Sequence, residues 1–314
     1  MMKSLVTGGA GFIGSHLVDA LVERGHQVTV YDNFYSGKLD NLARSLGRVD
    51  VRHEDICDDA ALEKAMEDVE VVFHLAAIPS VQVSLEDPLR SNRVNVEGTL
   101  KVLWAAKKAG ARRVVAISSS AVYGDAPGLP KRESDVPAPL SPYALQKLVL
   151  EHYCRLFHAH YGLETVALRL FNVFGPRQRP DSQYAGVIAR FIDCMRDGAS
   201  PTIFGDGGQS RDFVYVSNVV DLCLQAASAP GASGLVVNGG CGRNVTLKDV
   251  VAAINAVLGT ELQPVHAPER RGEVRDSRAD IRLAEERLGF KPRIDFEEGL
   301  AETLRAGEAA ARAL

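Results

Sequence analysis

A glycine motif near the N-terminus, Gly8-x-x-Gly11-x-x-Gly14, constrains the fold more than any other segment of the chain. The residues before it predict a short strand over 3–7, and the apolar spacing over 15–22 predicts a helix after it. Glycines at these positions allow a tight turn and let a pyrophosphate approach the backbone N–H groups at the start of the helix. A strand, a glycine turn and a helix in this order indicate a dinucleotide site.

Asp32 strengthens this interpretation because it ends the next predicted strand, which covers 27–31. A carboxylate at that place can accept hydrogen bonds from both hydroxyls of the adenosine ribose, and it would repel a 2′-phosphate. NAD is therefore the expected cofactor, in preference to NADP.

Strands and helices continue to alternate as far as Leu170. Further strands are predicted over 51–54, 69–75, 113–118 and 164–170, and further helices over 60–66, 89–108 and 143–161. Two more helices are predicted beyond Leu170, over 185–195 and 246–258. This order predicts an α/β fold, a doubly wound parallel (Rossmann) sheet with helices on both faces. After Leu170 the pattern becomes irregular, which indicates a smaller C-terminal α/β portion that binds the substrate.

The composition argues against several classes of function. The net charge of -4 and the pI of about 6.1 argue against nucleic acid or an anionic membrane as the main partner. No apolar run approaches the ~18 residues of a membrane helix, and the N-terminus reaches Gly8 too soon for a signal peptide. Five widely spaced cysteines predict reduced thiols in a cytoplasmic protein, and the histidines lack metal-ligand spacing, so no metal is expected.

A tyrosine and a lysine four residues apart mark a candidate catalytic helix. Pro142 suits the first helical position, and a helix that starts there places Tyr143 and Lys147 on one face. A nearby ammonium would lower the pKa of the phenol. Alone the pattern is weak, but the serines at 118–120 end a predicted strand at the same edge of the sheet. A serine that holds an oxygen and a tyrosine that takes its proton suit the oxidation of an alcohol beside a nicotinamide.

Together these motifs resemble the extended short-chain dehydrogenase/reductase family, and within it the nucleotide-sugar epimerases. The resemblance spans nearly the whole chain. The segments that carry it are 7–14, 74–77, Asn95 with Gly98-Thr99, 118–124, Tyr143 with Lys147, 169–177 and 211–216. It implies that residues 1–170 bind NAD, with a returning segment near 211–229, and that residues 171–314 mainly bind a nucleotide sugar.

The resemblance also implies roles for individual residues. The implied catalytic residues are Ser119, Tyr143 and Lys147. The implied NAD contacts are Gly8, Gly11, Phe12, Ile13, Gly14, Asp32, Asn33, Ser36, Gly37, Asp55, Ile56, Leu75, Ala76, Ala77, Asn95, Ser118, Tyr143, Lys147 and Phe171. The implied contacts of the nucleotide sugar are Ser80, Ser84, Ser119, Ser120, Tyr143, Asn172, Gln178, Gly186, Val187, Thr202, Phe204, Arg211, Arg270, Glu273 and Ser277.

Departures from the family pattern bear on the substrate. The 4,6-dehydratases carry an Asp-Glu pair where this chain has Ser120 and Ala121, so dehydration would lack its acid and base. Ser277 stands where 4-epimerases restricted to UDP-glucose and UDP-galactose carry a tyrosine, which leaves room for an N-acetyl group. Glu273 stands where the family usually has an aspartate that binds the uridine ribose.

The resemblance therefore implies an NAD-dependent 4-epimerase of UDP-hexoses, acting on UDP-glucose/UDP-galactose and on UDP-GlcNAc/UDP-GalNAc through a 4-keto intermediate. Alternatives are a UDP-uronate epimerase or decarboxylase, a 4,6-dehydratase, a net oxidoreductase, or a non-catalytic NAD-binding sensor. The helices predicted over 89–108 and 143–161 each carry more apolar surface than is needed to cover the sheet. The excess fits either a homodimer face or burial within the chain.

Overall fold

The computed structural model describes residues 2–178, 186–269 and 274–312. The strands are β1 (Lys3–Thr7), β2 (Gln27–Asp32), β3 (Asp50–His53), β4 (Val71–His74), β5 (Arg113–Ser119), β6 (Glu164–Leu170), β7 (Asn172–Phe174), β8 (Thr202–Phe204), β9 (Ser210–Arg211), β10 (Phe213–Tyr215), β11 (Leu235–Gly239), β12 (Val245–Thr246) and β13 (Val265–Ala267). The α-helices are α1 (Phe12–Glu23), α2 (Asp59–Ala65), α3 (Val81–Glu86), α4 (Pro88–Asn92), α5 (Thr99–Ala109), α6 (Pro142–Tyr161), α7 (Val187–Arg196), α8 (Val216–Ser228), α9 (Leu247–Leu258), α10 (Arg282–Leu288) and α11 (Phe296–Arg312).

A seven-stranded sheet forms the centre of the molecule, in the order β11-β6-β5-β4-β1-β2-β3. All of its neighbouring strands are parallel. The chain builds outward from β1 to β3 and then returns to place β4 on the other side of β1. This reversal is a topological switch point, and a crevice opens there at the carboxyl ends of the strands.

Two hydrophobic cores cover the two faces of this sheet, because successive strand residues point in opposite directions. On one face α1 and α8 pack against residues such as Val6 and Phe73. On the other face α2, α5 and α6 pack against residues such as Leu5 and Val72. The predicted doubly wound α/β fold is confirmed.

The C-terminal region forms a third core around α7, α9 and α11. Aromatic rings fill it: Phe174 of β7 contacts Phe213, Tyr215 and Phe296 at centroid distances of 5.5 to 6.3 Å. The chain nevertheless returns to the central sheet, since all of β11 pairs with β6 from Val166 to Leu170. No helix among the described residues is long and apolar enough to cross a membrane.

The helix predicted over 89–108 differs in the structure, where α4 and α5 are separated by a π-helical turn, Arg93–Gly98. The turn directs Asn95 into the protein, and the Thr99 hydroxyl donates to the Asn95 carbonyl over 2.6 Å. Gly98 lies so close to Ile56 that a Cβ would be 2.6 Å from the Ile56 Cδ1. These tertiary contacts override the regular helical pattern that the sequence predicts.

Candidate active site

A cleft opens at the carboxyl ends of the central strands, and the glycine motif forms its floor. Gly8 has a φ of +70°, and a Cβ there would be 2.7 Å from the Ala76 nitrogen. A Cβ on Gly14 would be 2.1 Å from the Gly8 oxygen. Only glycine fits these two positions, so the turn presents bare backbone at the start of α1, as a pyrophosphate requires.

Most of the residues proposed to contact NAD line this one cleft. They are Gly8, Gly11, Phe12, Ile13, Gly14, Asp32, Asn33, Ser36, Asp55, Ile56, Leu75, Ala76, Ala77, Ser118, Tyr143, Lys147 and Phe171. Gly37 and Asn95 lie behind the lining. Gly37 packs against Ala10 and the Asp32 carboxylate, while Asn95 is buried and bonds to the Ile78 backbone and to Gln146. Direct contacts from these two remain a prediction.

Hydrogen bonds hold two carboxylates in place in the half of the cleft at the carboxyl ends of β2 and β3. Asp32 accepts the Ala10 N–H over 2.9 Å and the Phe34 N–H over 2.8 Å. Burial raises the pKa of Asp32, although these bonds oppose the change. Burial also raises the pKa of Asp55, but the Cys57 N–H and the Asn33 amide outweigh that effect and hold the pKa below its usual value. Both side chains are thus oriented before any ligand binds.

Ser119, Tyr143 and Lys147 meet at the other end of the cleft. Pro142 begins α6 and the Ser141 hydroxyl caps it, accepting from the Ala144 N–H over 3.2 Å, so the predicted helix start is confirmed. The Lys147 Nζ lies 6.0 Å from the centroid of the Tyr143 ring and donates to the Ile117 carbonyl over 2.7 Å. Burial lowers the pKa of Lys147 to about 8, against the opposing charge of Glu151.

The prediction that Lys147 lowers the pKa of the Tyr143 phenol is wrong for this structure. Burial raises the pKa of Tyr143, and only the hydrogen bond with Ser119 lowers it. The physical reason is that a phenolate would lose hydration among the side chains around it, while the Lys147 ammonium donates to the Ile117 carbonyl.

Ser84 supports Tyr143 through the backbone. It lies in α3, and its buried hydroxyl donates to the Val81 carbonyl over 2.6 Å. The same hydroxyl accepts the Tyr143 N–H over 3.1 Å. That N–H lies in the first turn of α6 and has no intrahelical acceptor. Ser84 therefore positions the tyrosine, while direct contact with a sugar remains a prediction.

A buried ion pair behind the site could not be identified from the sequence motifs. Glu151 of α6 and Arg169 of β6 have side chains that are each 2% exposed. The carboxylate accepts from the Arg169 Nε over 2.8 Å and from its Nη2 over 2.7 Å. It also accepts from the Ser118 hydroxyl over 2.5 Å. The pair thus connects α6, one turn after Lys147, to the strand ends that line the cleft.

The residues proposed to bind the nucleotide sugar divide into two groups. Asn172 and Gln178 line the cleft beside Ser119 and Tyr143. The Asn172 N–H donates to the Asp212 carbonyl, which places Asn172 next to the Arg211 segment. A second group surrounds Ser210. The backbone carbonyl of Ser210 accepts from the Ser277 N–H over 3.1 Å and from the Arg211 Nη1 over 2.9 Å.

The other proposed contacts lie around these two groups. Ser80 caps α3 and accepts the Val83 N–H over 3.1 Å, and Ser120 begins a 3₁₀ turn after Ser119. Gly186 packs against Gln178, and Val187 starts α7. Thr202 and Phe204 lie in β8. Arg270 and Glu273 lie outside the described residues.

Comparisons with known proteins agree with this geometry. Residues 4–240 match the family described as the NAD dependent epimerase/dehydratase family. The UDP-glucose 4-epimerase of Mycolicibacterium smegmatis is 40% identical over 307 residues, 96% of this chain and 97% of that protein. The UDP-N-acetyl-alpha-D-glucosaminuronate decarboxylase of Bacillus cytotoxicus is 35% identical over 314 residues, again 96% and 97%. A solved UDP-N-acetylglucosamine 4-epimerase from Methanobrevibacter ruminantium M1, in complex with UDP-N-acetylmuramic acid, has a TM-score of 0.94 at 43% identity and covers 98% of this chain and 99% of that one.

Proposed function

We propose that this chain, which belongs to the NAD-dependent epimerase/dehydratase family, is a 4-epimerase of UDP-hexoses. Family membership follows from the match and from the relatives just described, and it confirms the resemblance to the extended short-chain dehydrogenases/reductases. The observation that carries the proposal is that Ser119, Tyr143 and Lys147 line the cofactor cleft while Ser120 and Ala121 follow the serine. That set can oxidise an alcohol reversibly but cannot eliminate water.

The cofactor is NAD, as the family description states, and the cleft fits it. The glycine turn would hold the pyrophosphate, and Asp32 would hold the adenosine ribose at the end of β2. When bound, NAD would supply reversible hydride transfer at the sugar carbon.

The side chains perform the proton transfer and hold the substrate. Tyr143 takes the proton from the sugar O4 and later returns it, while the Ser119 hydroxyl bonds to the same oxygen. The hexose must turn over between the two steps, so the nucleotide half has to stay in place. The proposed anchors are Asn172, Arg211 and Arg270. Asn172 of β7 lies near Arg211 of β9, because its N–H donates to the carbonyl of the next residue, Asp212.

A decarboxylase of UDP-uronic acids is the main alternative, because a decarboxylase is among the relatives. A dehydratase is disfavoured since Ser120 and Ala121 supply neither acid nor base. A non-catalytic sensor would not require a tyrosine beside a buried lysine in this cleft. A net oxidoreductase would accumulate reduced cofactor.

Incubation with UDP-glucose should produce no sustained rise in absorbance at the reduced-cofactor band, and a rise proportional to product would contradict epimerisation.

Ser277 provides a test of substrate range. It is half-buried beside Ser210, and we propose that it faces the substituent on C2 of the hexose. Ser277→Tyr should lower kcat/KM for UDP-N-acetylglucosamine by at least about tenfold and leave kcat/KM for UDP-glucose largely unchanged, because only the N-acetyl group needs the space. Ser277→Ala is the matched control and should affect neither substrate. Equal losses on both substrates with Ser277→Tyr would contradict this role.

We also propose a homodimer formed through α5 and α6. Trp104 and Tyr161 are 41% and 49% exposed, and their rings lie 5.6 Å apart along an apolar groove between the two helices. A second copy would bury this surface. Trp104→Glu should convert the dimer into a monomer in light-scattering measurements, while Leu46→Glu, at another exposed apolar position, should not. A monomeric unaltered protein, or a dimeric Trp104→Glu variant, would contradict the proposal.

A further inference from the structure

Two side chains that line the cleft, Tyr35 and Arg90, belong to none of the motifs described above. The Arg90 Cζ lies 4.6 Å from the centroid of the Tyr35 ring, which is a cation–π contact. Tyr35 follows β2 and Arg90 lies in α4, so the contact joins two separate elements. Both side chains are exposed, so burial in the protein core does not account for their pairing.

The surroundings place this pair at the adenosine end of the cofactor. Asp32, Asn33 and Asp55 line the same part of the cleft, at the ends of β2 and β3. These residues lie on the side of the glycine turn where the adenosine ribose is expected, and Tyr143 lies at the opposite end.

Charge gives Arg90 a function there. Among the described residues that line the cleft, Arg90 and Lys147 are those with a lysine or arginine side chain, and Lys147 lies at the catalytic end. The adenosine end carries the carboxylates of Asp32, Glu54 and Asp55. Without Arg90, the charged side chains that line this end of the cleft would all be negative, which disfavours the phosphate of the adenosine half.

We propose that Arg90, oriented by the Tyr35 ring, closes over the adenosine half of bound NAD and slows its release. A guanidinium is planar and permanently charged, so it can stack on a flat ring and attract a phosphate at the same time. The inference concerns retention of the cofactor and goes beyond the proposed reaction. An epimerase regenerates its NAD in each cycle, so slow release would not limit turnover.

The test measures NAD release without any sugar substrate, so that its outcome is independent of the proposed activity. The protein is loaded with radiolabelled NAD and mixed with excess unlabelled NAD, and the label that stays bound is followed over time. Arg90→Gln and Tyr35→Ser should each accelerate release about fivefold, which corresponds to about 1 kcal/mol. Tyr35→Phe keeps the ring and should stay within about twofold of the unaltered protein.

Matched controls separate this role from general effects. Arg155→Gln removes an exposed arginine of α6 outside the cleft and should leave release unchanged. The NAD-free variants should keep the melting temperature of the NAD-free unaltered protein. Unchanged release in Arg90→Gln would overturn the proposal. So would equal acceleration in Arg155→Gln, or a lower melting temperature of NAD-free Arg90→Gln, since these point to general charge or to a structural role.

Discussion

Replacing Tyr143 with phenylalanine should lower kcat for UDP-hexose epimerisation by roughly 10²- to 10⁴-fold. The change removes only the phenol oxygen, which is the group proposed to carry the sugar O4 proton. The ring, the capped start of α6 and the bond from the Tyr143 N–H to Ser84 would all remain. Binding of NAD and of UDP should therefore persist, and the loss should appear in kcat with little change in KM. Steady-state kinetics with both UDP-glucose and UDP-N-acetylglucosamine would measure it.

Tyr161→Phe is the matched control for this variant. Tyr161 ends the same helix, lies outside the cleft and is 49% exposed. Its hydroxyl has no proposed part in the reaction, so kcat should be unchanged. If Tyr143→Phe retained kcat within about tenfold, proton transfer by this residue would be wrong.

Removing Glu151 should cost roughly 3–5 kcal/mol of the free energy of unfolding. Glu151→Ala would leave the Arg169 guanidinium buried without its counter-charge and the Ser118 hydroxyl without its acceptor. Burial lowers the pKa of Arg169, but the bonds and charge of Glu151 outweigh this and raise it above its usual value. The guanidinium stays charged even without Glu151, because arginine is not deprotonated in proteins. Urea unfolding of the NAD-free protein, at one fixed protein concentration, would measure the loss.

A paired substitution separates the charge from the packing. Glu151→Leu with Arg169→Met removes both charges at once, and it should recover much of the stability that Glu151→Ala loses. Arg155→Ala, an exposed arginine one turn further along α6, should change stability by less than about 0.5 kcal/mol. A Glu151→Ala variant that is destabilised by less than about 1 kcal/mol would contradict the importance of this pair.

The sequence predicts those parts of the site whose conformation depends on residues adjacent in the chain. The glycine turn and the start of α6 at Pro142 follow from backbone conformation, which a few adjacent residues decide. The parallel sheet follows from the alternation of strands and helices. By contrast, β11 was missed because its apolar run is short, and nothing nearby in sequence shows that it pairs with β6.

Roles that depend on tertiary contacts could not be predicted. Ser84 supports the backbone of Tyr143 because α3 packs beside α6. The pKa of Tyr143 rises because the site is buried, and burial cannot be read from the spacing to Lys147. Glu151 and Arg90 act through partners on other elements. No motif marks either of them, and only the assembled structure identifies their partners.

Proton NMR of the purified protein with UDP-glucose and, separately, with UDP-N-acetylglucosamine tests the central proposal most directly. Each sample is followed with and without added NAD. The proposed function predicts that signals of the C4 epimer appear with at least one substrate until a mixture at equilibrium remains, with no loss of carbon dioxide or water. A folded protein that holds NAD and converts neither sugar nucleotide to its C4 epimer would contradict the account.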